Sequence, residues 1–190
     1  MSPGEGSGRP RRTPAAEVRL RRLEPADAAR LRAWLADPEV RRHFLGAAAA
    51  READGLPVAF GPRPAGPAAH LARVIETADG RPIGWVELRD ANWRRRSAEL
   101  RICLGERAAW GRGLGTEALR QFLALAFGVW GLDSVYLRVA TWNLRAVRAY
   151  ERVGFRREGH LAAGPRVRCG HQDLWLMRAD RPGGAAAGSA

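Results

Sequence analysis

Residues 97–119, Ser-Ala-Glu-Leu-Arg-Ile-Cys-Leu-Gly-Glu-Arg-Ala-Ala-Trp-Gly-Arg-Gly-Leu-Gly-Thr-Glu-Ala-Leu, leave this chain few ways to fold. Ala98, Leu100, Ile102 and Leu104 alternate with Glu99, Arg101 and Cys103, the period of a strand with one buried face. Glycines follow at 111, 113 and 115. Ala118, Leu119, Phe122, Leu123, Leu125, Ala126 and Val129 then cover a wide helical face, which predicts a helix packed hard against a sheet. A strand, a glycine-rich turn and a helix start together suit a phosphate. Glycine lets the backbone come close, and the unpaired N–H groups and dipole of the helix supply the positive end.

Two familiar versions of that layout do not fit. A nucleoside-triphosphate loop needs Lys-Ser/Thr after its last glycine, and Gly115 is followed by Thr116-Glu117. Gly113-x-Gly115-x-x-Ala118 satisfies the relaxed dinucleotide fingerprint, but eight residues separate Leu104 from Gly113. The next strand also ends Val139-Ala140-Thr141, without the acidic residue that a ribose would need.

The chain is long enough, at 190 residues, for one domain with a substantial core. Its formal net charge of +12 would ordinarily suggest an acidic or nucleic-acid partner. Every basic side chain is Arg, however, and Ala, Gly and Pro abound, a composition that reads as codon bias; it suits an anionic ligand without choosing one. Cys103 and Cys169 lack CxxC or Cys/His spacing, so neither a metal site nor a disulfide framework is expected. Cys103 reads as a small buried thiol. No apolar run reaches the length of a membrane span and no signal-peptide core is visible, which leads to the expectation of a cytoplasmic protein.

In chain order, residues 1–16 read as a disordered basic arm and 180–190 as a disordered tail, leaving a domain over 17–179. Glu17–Leu23 alternates as a first strand. Pro25 opens a helix with Ala28, Leu31, Trp34 and Leu35 on its stripe, and Asp37-Pro38-Glu39 restarts it with Val40 and Phe44 inward. Residues 46–69, with only Glu52 and Asp54 as acids, read as a substrate-side loop or lid. Leu71–Thr77 and Pro82–Leu88 form a hairpin across Asp79-Gly80, and Ile83, Trp85 and Glu87 share a face of the second strand. A polar turn over Asp90–Arg96 leads into the strand before the glycine loop. After the helix, which Gly131 ends, Val135–Val139 is a further strand, parallel to the one before the loop. Asn143 caps a helix carrying Leu144, Val147 and Tyr150, with Gly154 at its end. Phe155–Gly159 and Asp173–Arg178 complete the pattern. The class is α/β (α+β): a mixed, mostly antiparallel sheet of six to seven strands with helices on both faces.

Glu99-Leu-x-Ile, Trp110-Gly-Arg-Gly-Leu-Gly-Thr-Glu-Ala and Asn143-Leu-Arg-Ala-Val-Arg-Ala-Tyr150-Glu-Arg-Val-Gly-Phe155 together resemble the GNAT acetyltransferases. The branch most alike holds the ribosomal-protein N-terminal, polyamine and some aminoglycoside acetyltransferases. The resemblance extends from Val18 to Met177 and matches the order of elements as well as the motifs. It implies acetyl-CoA as donor and a primary amine as acceptor; from the cysteine spacing, no metal is expected. It implies that backbone at Ile102 and Leu104 meets pantetheine, that Gly111, Arg112, Gly113, Leu114, Gly115 and Thr116 hold the pyrophosphate, and that Asn143 starts the helix beside the thiol. Tyr150 stands at the recurring tyrosine position as a candidate acid for the leaving thiolate. Glu99 is a candidate base, with Glu87 a weaker rival. Trp110 departs from the family, which often has Gln or Arg there, and Arg107 or Arg112 then remains as a loop cation. His43, His70, His160 and His171 are scattered and receive no role.

The acceptor stays open among a protein N-terminus, a polyamine and an aminoglycoside. The scarcity of acids in 46–69 leans towards a peptide or an amine with an uncharged body. A different class of protein, a non-catalytic acyl-CoA sensor or an Arg-rich nucleic-acid binder, is the alternative, although the arginine bias does not select nucleic acid. A monomer or a homodimer is expected.

Overall fold

The computed structural model describes residues 17–45, 71–163 and 172–183. The expectations for residues 1–16, for 46–69, for His70, Cys169 and His171, and for the tail beyond 183 lie outside them. Among the described residues the elements are β1 (Val18–Arg22), α1 (Ala28–Ala36), α2 (Pro38–Leu45), β2 (Ala72–Thr77), β3 (Pro82–Asn92), β4 (Ser97–Leu104), α3 (Leu114–Gly128), β5 (Ser134–Ala140), α4 (Leu144–Arg152), β6 (Arg156–Leu161) and β7 (Leu174–Asp180). The strands make one sheet in the order β1-β2-β3-β4-β5-β7-β6. Every neighbouring pair is antiparallel except β4 and β5, which α3 connects as a parallel β-α-β unit.

Alternation along the strands divides the core in two. Val86, Leu88, Leu100, Val135, Leu137 and Val139 face α3 and α4, which answer with Leu119, Phe122, Ala126 and Val147. The opposite face carries Trp85 and Cys103 under α1 and α2, which contribute Leu31, Trp34, Leu35 and Val40. Trp34 stacks on Trp85 with centroids 6.1 Å apart, and Phe44 meets Trp85 edge-on at 5.0 Å. Helices thus cover both faces of the sheet.

Several boundaries differ from the sequence pattern. Pro25–Asp27 is a 3-10 turn ahead of α1 and not its first turn. The Asp37 cap is formed: its Oδ1 accepts from Glu39 N at 2.8 Å and Val40 N at 3.3 Å. β3 continues to Asn92 through an irregularity after Arg89, and the turn shrinks to 93–96 because left-handed backbone at Asp90 and Arg96 lets the pairing resume. Val129 and Leu144, both expected on buried helical faces, are 71% and 57% exposed. Val129 lies just past the end of α3, and Leu144 is the first residue of α4, so the protein around each does not close over it. β7 runs to Asp180, which the composition assigns to the tail. Asp180 pairs with Arg156 and Arg178, and Arg181 Nε donates to the Leu132 carbonyl.

The first edge of the sheet is held by Arg21. Its Nη1 and Nη2 donate to Asp27 at 2.7 and 2.6 Å, and its Nε donates to Glu76 on β2 at 2.6 Å. Asp27 also accepts from Glu24 N at 2.9 Å. The Arg21 guanidinium chiefly, and then this backbone bond, hold the Asp27 carboxyl below its ordinary value against the opposing effect of burial. A depressed folded pKa contributes stability that is present above the unfolded value of about 3.9 and is lost as pH falls through the folded one. The urea midpoint should therefore fall between pH 5 and the most acidic range tolerated, and Asp27→Asn should flatten that part of the profile while lowering the neutral-pH midpoint. Equal acid slopes for the two proteins would remove Asp27 from the account.

Candidate active site

β4 and β5 stay together for only three rungs: Ser97↔Ser134, Ala98↔Val135 and Glu99↔Tyr136. After Glu99, β4 follows β3 as far as Leu104 opposite Gly84, and β5 follows β7 as far as Ala140 opposite Leu174. The sheet is split between them, and a cleft of about 170 Å³ opens beside the freed end of β4. Ile102, Cys103 and Leu104 all line it, although consecutive strand residues point to opposite faces. The cleft therefore reaches both faces of the sheet. Tyr150 from α4 and Val40, His43 and Phe44 from α2 meet in it, helices that lie on opposite sides.

The glycine loop borders one end. A 3-10 turn, Arg107–Ala109, follows β4, and the Trp110 indole N–H donates to the Leu104 carbonyl at 2.8 Å. Gly113 precedes α3 in the left-handed region at φ 80°, where a Cβ is strained. At Gly115 a Cβ would sit 3.1 Å from Leu104 Cδ1, so the first turn of α3 lies close against the strand end. No side chain caps α3, and the N–H groups of its first residues have no carbonyl one turn back. Gly111, Gly113, Gly115 and Thr116 line the cleft, so this positive helix end opens into it, as an anion requires. A thioester donor with a pyrophosphate fits such a cradle. Leu114 adds only backbone, since its side chain is buried in the core, and Arg112 is exposed away from the lining. Arg107 turns to α2, where it pairs with Glu39 and approaches Asp37 at 3.9 Å.

Asn143 caps α4: its Oδ1 accepts from Ala146 N at 3.3 Å, and its Nδ2 donates to the His43 carbonyl at 3.5 Å. The residue expected beside the donor thus also ties α4 to α2. Tyr150 is 9% exposed, packs on Phe155 at 5.7 Å and faces the cleft. Burial, and secondarily the neighbouring Cys103, push its phenol above the ordinary value; burial raises the Cys103 thiol as well. Both groups stay protonated at neutral pH.

Glu99 is not brought to the cleft. Its two oxygens accept from Arg138 Nε and Nη2 at 2.8 and 2.9 Å, a bidentate pair across the last rung before the split. Glu87 is buried on β3 opposite Arg101 and does not line the cleft either. His43, given no role from sequence, does. Its ring lies 5.1 Å from Trp110 and 5.4 Å from Trp142. Arg145 covers Trp110 at 4.2 Å and Arg42 covers Trp142 at 4.8 Å. Its only legible signal was a place on the helical face next to Phe44.

The acetyltransferase (GNAT) domain model matches residues 17–156. This chain belongs to the GNAT acetyltransferase family. It is 36% identical over 104 residues to the spermidine N(1)-acetyltransferase of Vibrio cholerae serotype O1, across 55% of this chain and 60% of that relative's own length. Among solved structures it resembles a chimera of the Vibrio cholerae spermidine N-acetyltransferase SpeG and hSSAT, with a TM-score of 0.64, 27% identity, and coverage of 86% of this chain and 95% of the other. The Vibrio cholerae enzyme solved with CoA and spermine shares the fold, with a TM-score of 0.66 and 24% identity over 86% of this chain and 95% of that one.

For the loop, millimolar CoA should raise the melting temperature of the protein, and Gly113→Val should abolish that shift by forcing a β-branched residue into left-handed backbone. An undiminished shift in the variant would place the anion elsewhere.

Proposed function

We propose that this protein transfers the acetyl group of acetyl-CoA to a primary amine by direct attack on the thioester, with a polyamine as the preferred acceptor class. The observation that carries the reading is the split between β4 and β5: it lets a donor held at the start of α3 reach an acceptor lying under α2 on the other face. Family membership supports the donor. The spermidine acetyltransferase relatives support the polyamine alternative over the peptide N-terminus towards which the acid-poor stretch 46–69 leans. Bound acetyl-CoA would supply an activated acyl carbon and a thiolate leaving group.

In this reading Gly111, Gly113, Gly115, Thr116 and the backbone of Leu114 bind the pyrophosphate, and the strand end at Ile102–Leu104 holds the pantetheine arm. Trp110 already uses the Leu104 carbonyl, so any pantetheine amide there shares that acceptor. Tyr150, kept protonated by burial, donates to the departing thiolate. Its raised pKa makes donation to a thiol of ordinary pKa about 8.5 uphill, so its contribution falls near the low end of the roughly 10²–10⁴-fold range for general acids. Glu99 positions the strands through Arg138 and does not act as base.

Acetyl-CoA consumption should therefore appear with spermidine and exceed that with aminoglycosides or peptide N-termini in the same panel. CoA binding without turnover on any amine would instead support a sensor. Tyr150→Phe should lower kcat by about a hundredfold with little change in melting temperature, because the ring still packs on Phe155. Near-normal kcat, with chemistry shown to be slow, would leave the hydroxyl without a role. Glu99→Gln should cost about 1–2 kcal/mol in urea unfolding, below the 3–5 of a fully buried pair because the Arg138 side chain is 39% exposed. Its turnover per folded molecule should hold; a hundredfold loss would restore Glu99 as the base.

A further inference from the structure

Direct attack needs an amine that has lost its proton, and neither Glu99 nor Glu87 lines the cleft. His43 does. Its Nδ1 lies 2.9 Å from the Glu39 backbone carbonyl, one turn back along α2. A carbonyl only accepts, so Nδ1 must carry the hydrogen, and in the neutral ring the lone pair then sits on Nε2. That nitrogen has no hydrogen-bond partner among the described residues. The ring is held in place by Trp110 on the loop side and Trp142 on the α4 side, and the backbone of the same residue accepts from Asn143. A fixed tautomer, a fixed ring and a bare acceptor nitrogen on a residue that lines the cleft are the attributes of a general base.

We propose that His43 is the base that deprotonates the acceptor, an inference that rests on the transferase reading above. α2 lies on the face opposite α3 and α4, so the base stands on the acceptor's side of the split sheet and Tyr150 on the other. Nε2 takes one proton from the acceptor ammonium. The freed lone pair forms the C–N bond to the thioester carbonyl carbon, and the C–S bond breaks. The nitrogen sheds its second proton as the amide forms. The sulfur gains one through the Tyr150 hydroxyl, which regains its own from the nitrogen. The products are the amide, the free thiol and a proton on His43 that passes to water.

Among the described residues, the charged groups near the ring are Glu39 and Arg42 on α2, Arg107 from the loop paired with Glu39, Arg145 from α4 over Trp110, and Arg152, which lines the same cleft. None of them donates to Nε2. They are common to every variant below, so a change in pH profile on altering His43 belongs to His43.

Three measurements test the assignment. Nitrogen NMR of the free protein should show His43 as the Nδ1–H tautomer; an Nε2–H tautomer overturns the proposal without any turnover being measured. His43→Gln should lower kcat/KM for spermidine at neutral pH by roughly 10²–10⁴-fold, the range of a lost proton-transfer group. The deficit should shrink as pH rises towards the amine's own pKa, about 10.4 for an alkylammonium, since free amine then needs no base. His43→Phe keeps an aromatic ring between the two tryptophans and should show the same loss and recovery while retaining the CoA-induced melting shift. A deficit constant with pH, or lost with the melting shift, would make His43 a packing residue and overturn the proposal. If wild-type protein acetylates amines and His43→Gln equals it, only the His43 assignment falls. If wild-type protein acetylates none, both readings fall together.

Discussion

Everything specific about this protein depends on where β4 and β5 stop pairing. Parallel strands running side by side to their ends would leave no room between them, since each interior backbone group would be spent on its neighbour. Here pairing ends after the Glu99↔Tyr136 rung, where Arg138 of β5 grips the Glu99 carboxylate with two bonds. The ion pair clamps the strands just before they diverge. Antiparallel partners on the outer sides, β3 and β7, then hold each strand on its own course. The split is thus supported from both sides, and the Leu104 carbonyl at its open end receives the Trp110 indole N–H.

The split joins two cores that would otherwise be separated by the sheet. The α3/α4 core brings an uncapped helix start and a buried phenol; the α1/α2 core brings Val40, His43 and Phe44. α2 is anchored in that position by Trp85 beneath Phe44, by Asn143 on the His43 carbonyl and by Arg107 on Glu39. A cleft open to both faces gives two molecules separate approaches to the gap between the strands. The thiol of Cys103, raised by burial, is poorly disposed to be a nucleophile, and it packs in the α1/α2 core.

Among the described residues, many arginines are taken up by acidic or aromatic partners, while Arg145 and Arg152 line the cleft. Arg21, Arg96, Arg107, Arg120, Arg138, Arg156, Arg157, Arg178 and Arg181 each meet an acidic side chain, mostly near the surface. Others lie over aromatic rings, as Arg42, Arg101 and Arg145 do. Net charge therefore says less about the partner of this protein than the geometry of one helix end.

The sequence by itself determined the elements and their kind. Alternation in 97–104, the glycines at 111, 113 and 115, the Asn143 cap and the hairpin at Asp79-Gly80 are local matters, decided by side-chain period and backbone freedom. They sufficed for the fold class; the family resemblance singled out the glycine loop and Tyr150, which line one cleft. Only the tertiary structure decided what the polar side chains do, because partners far apart in sequence set their state. Both oxygens of Glu99, a candidate base by resemblance, are held by Arg138, 39 residues on. His43 carried no signal beyond its place beside Phe44, since its setting depends on Trp110, Trp142 and Asn143, about 70 to 100 residues away. The extent of β3, the exposure of Val129 and Leu144, and the length of β7 were likewise settled by what packs beside them. Period tells which face of an element is apolar; it does not tell where the neighbouring element ends.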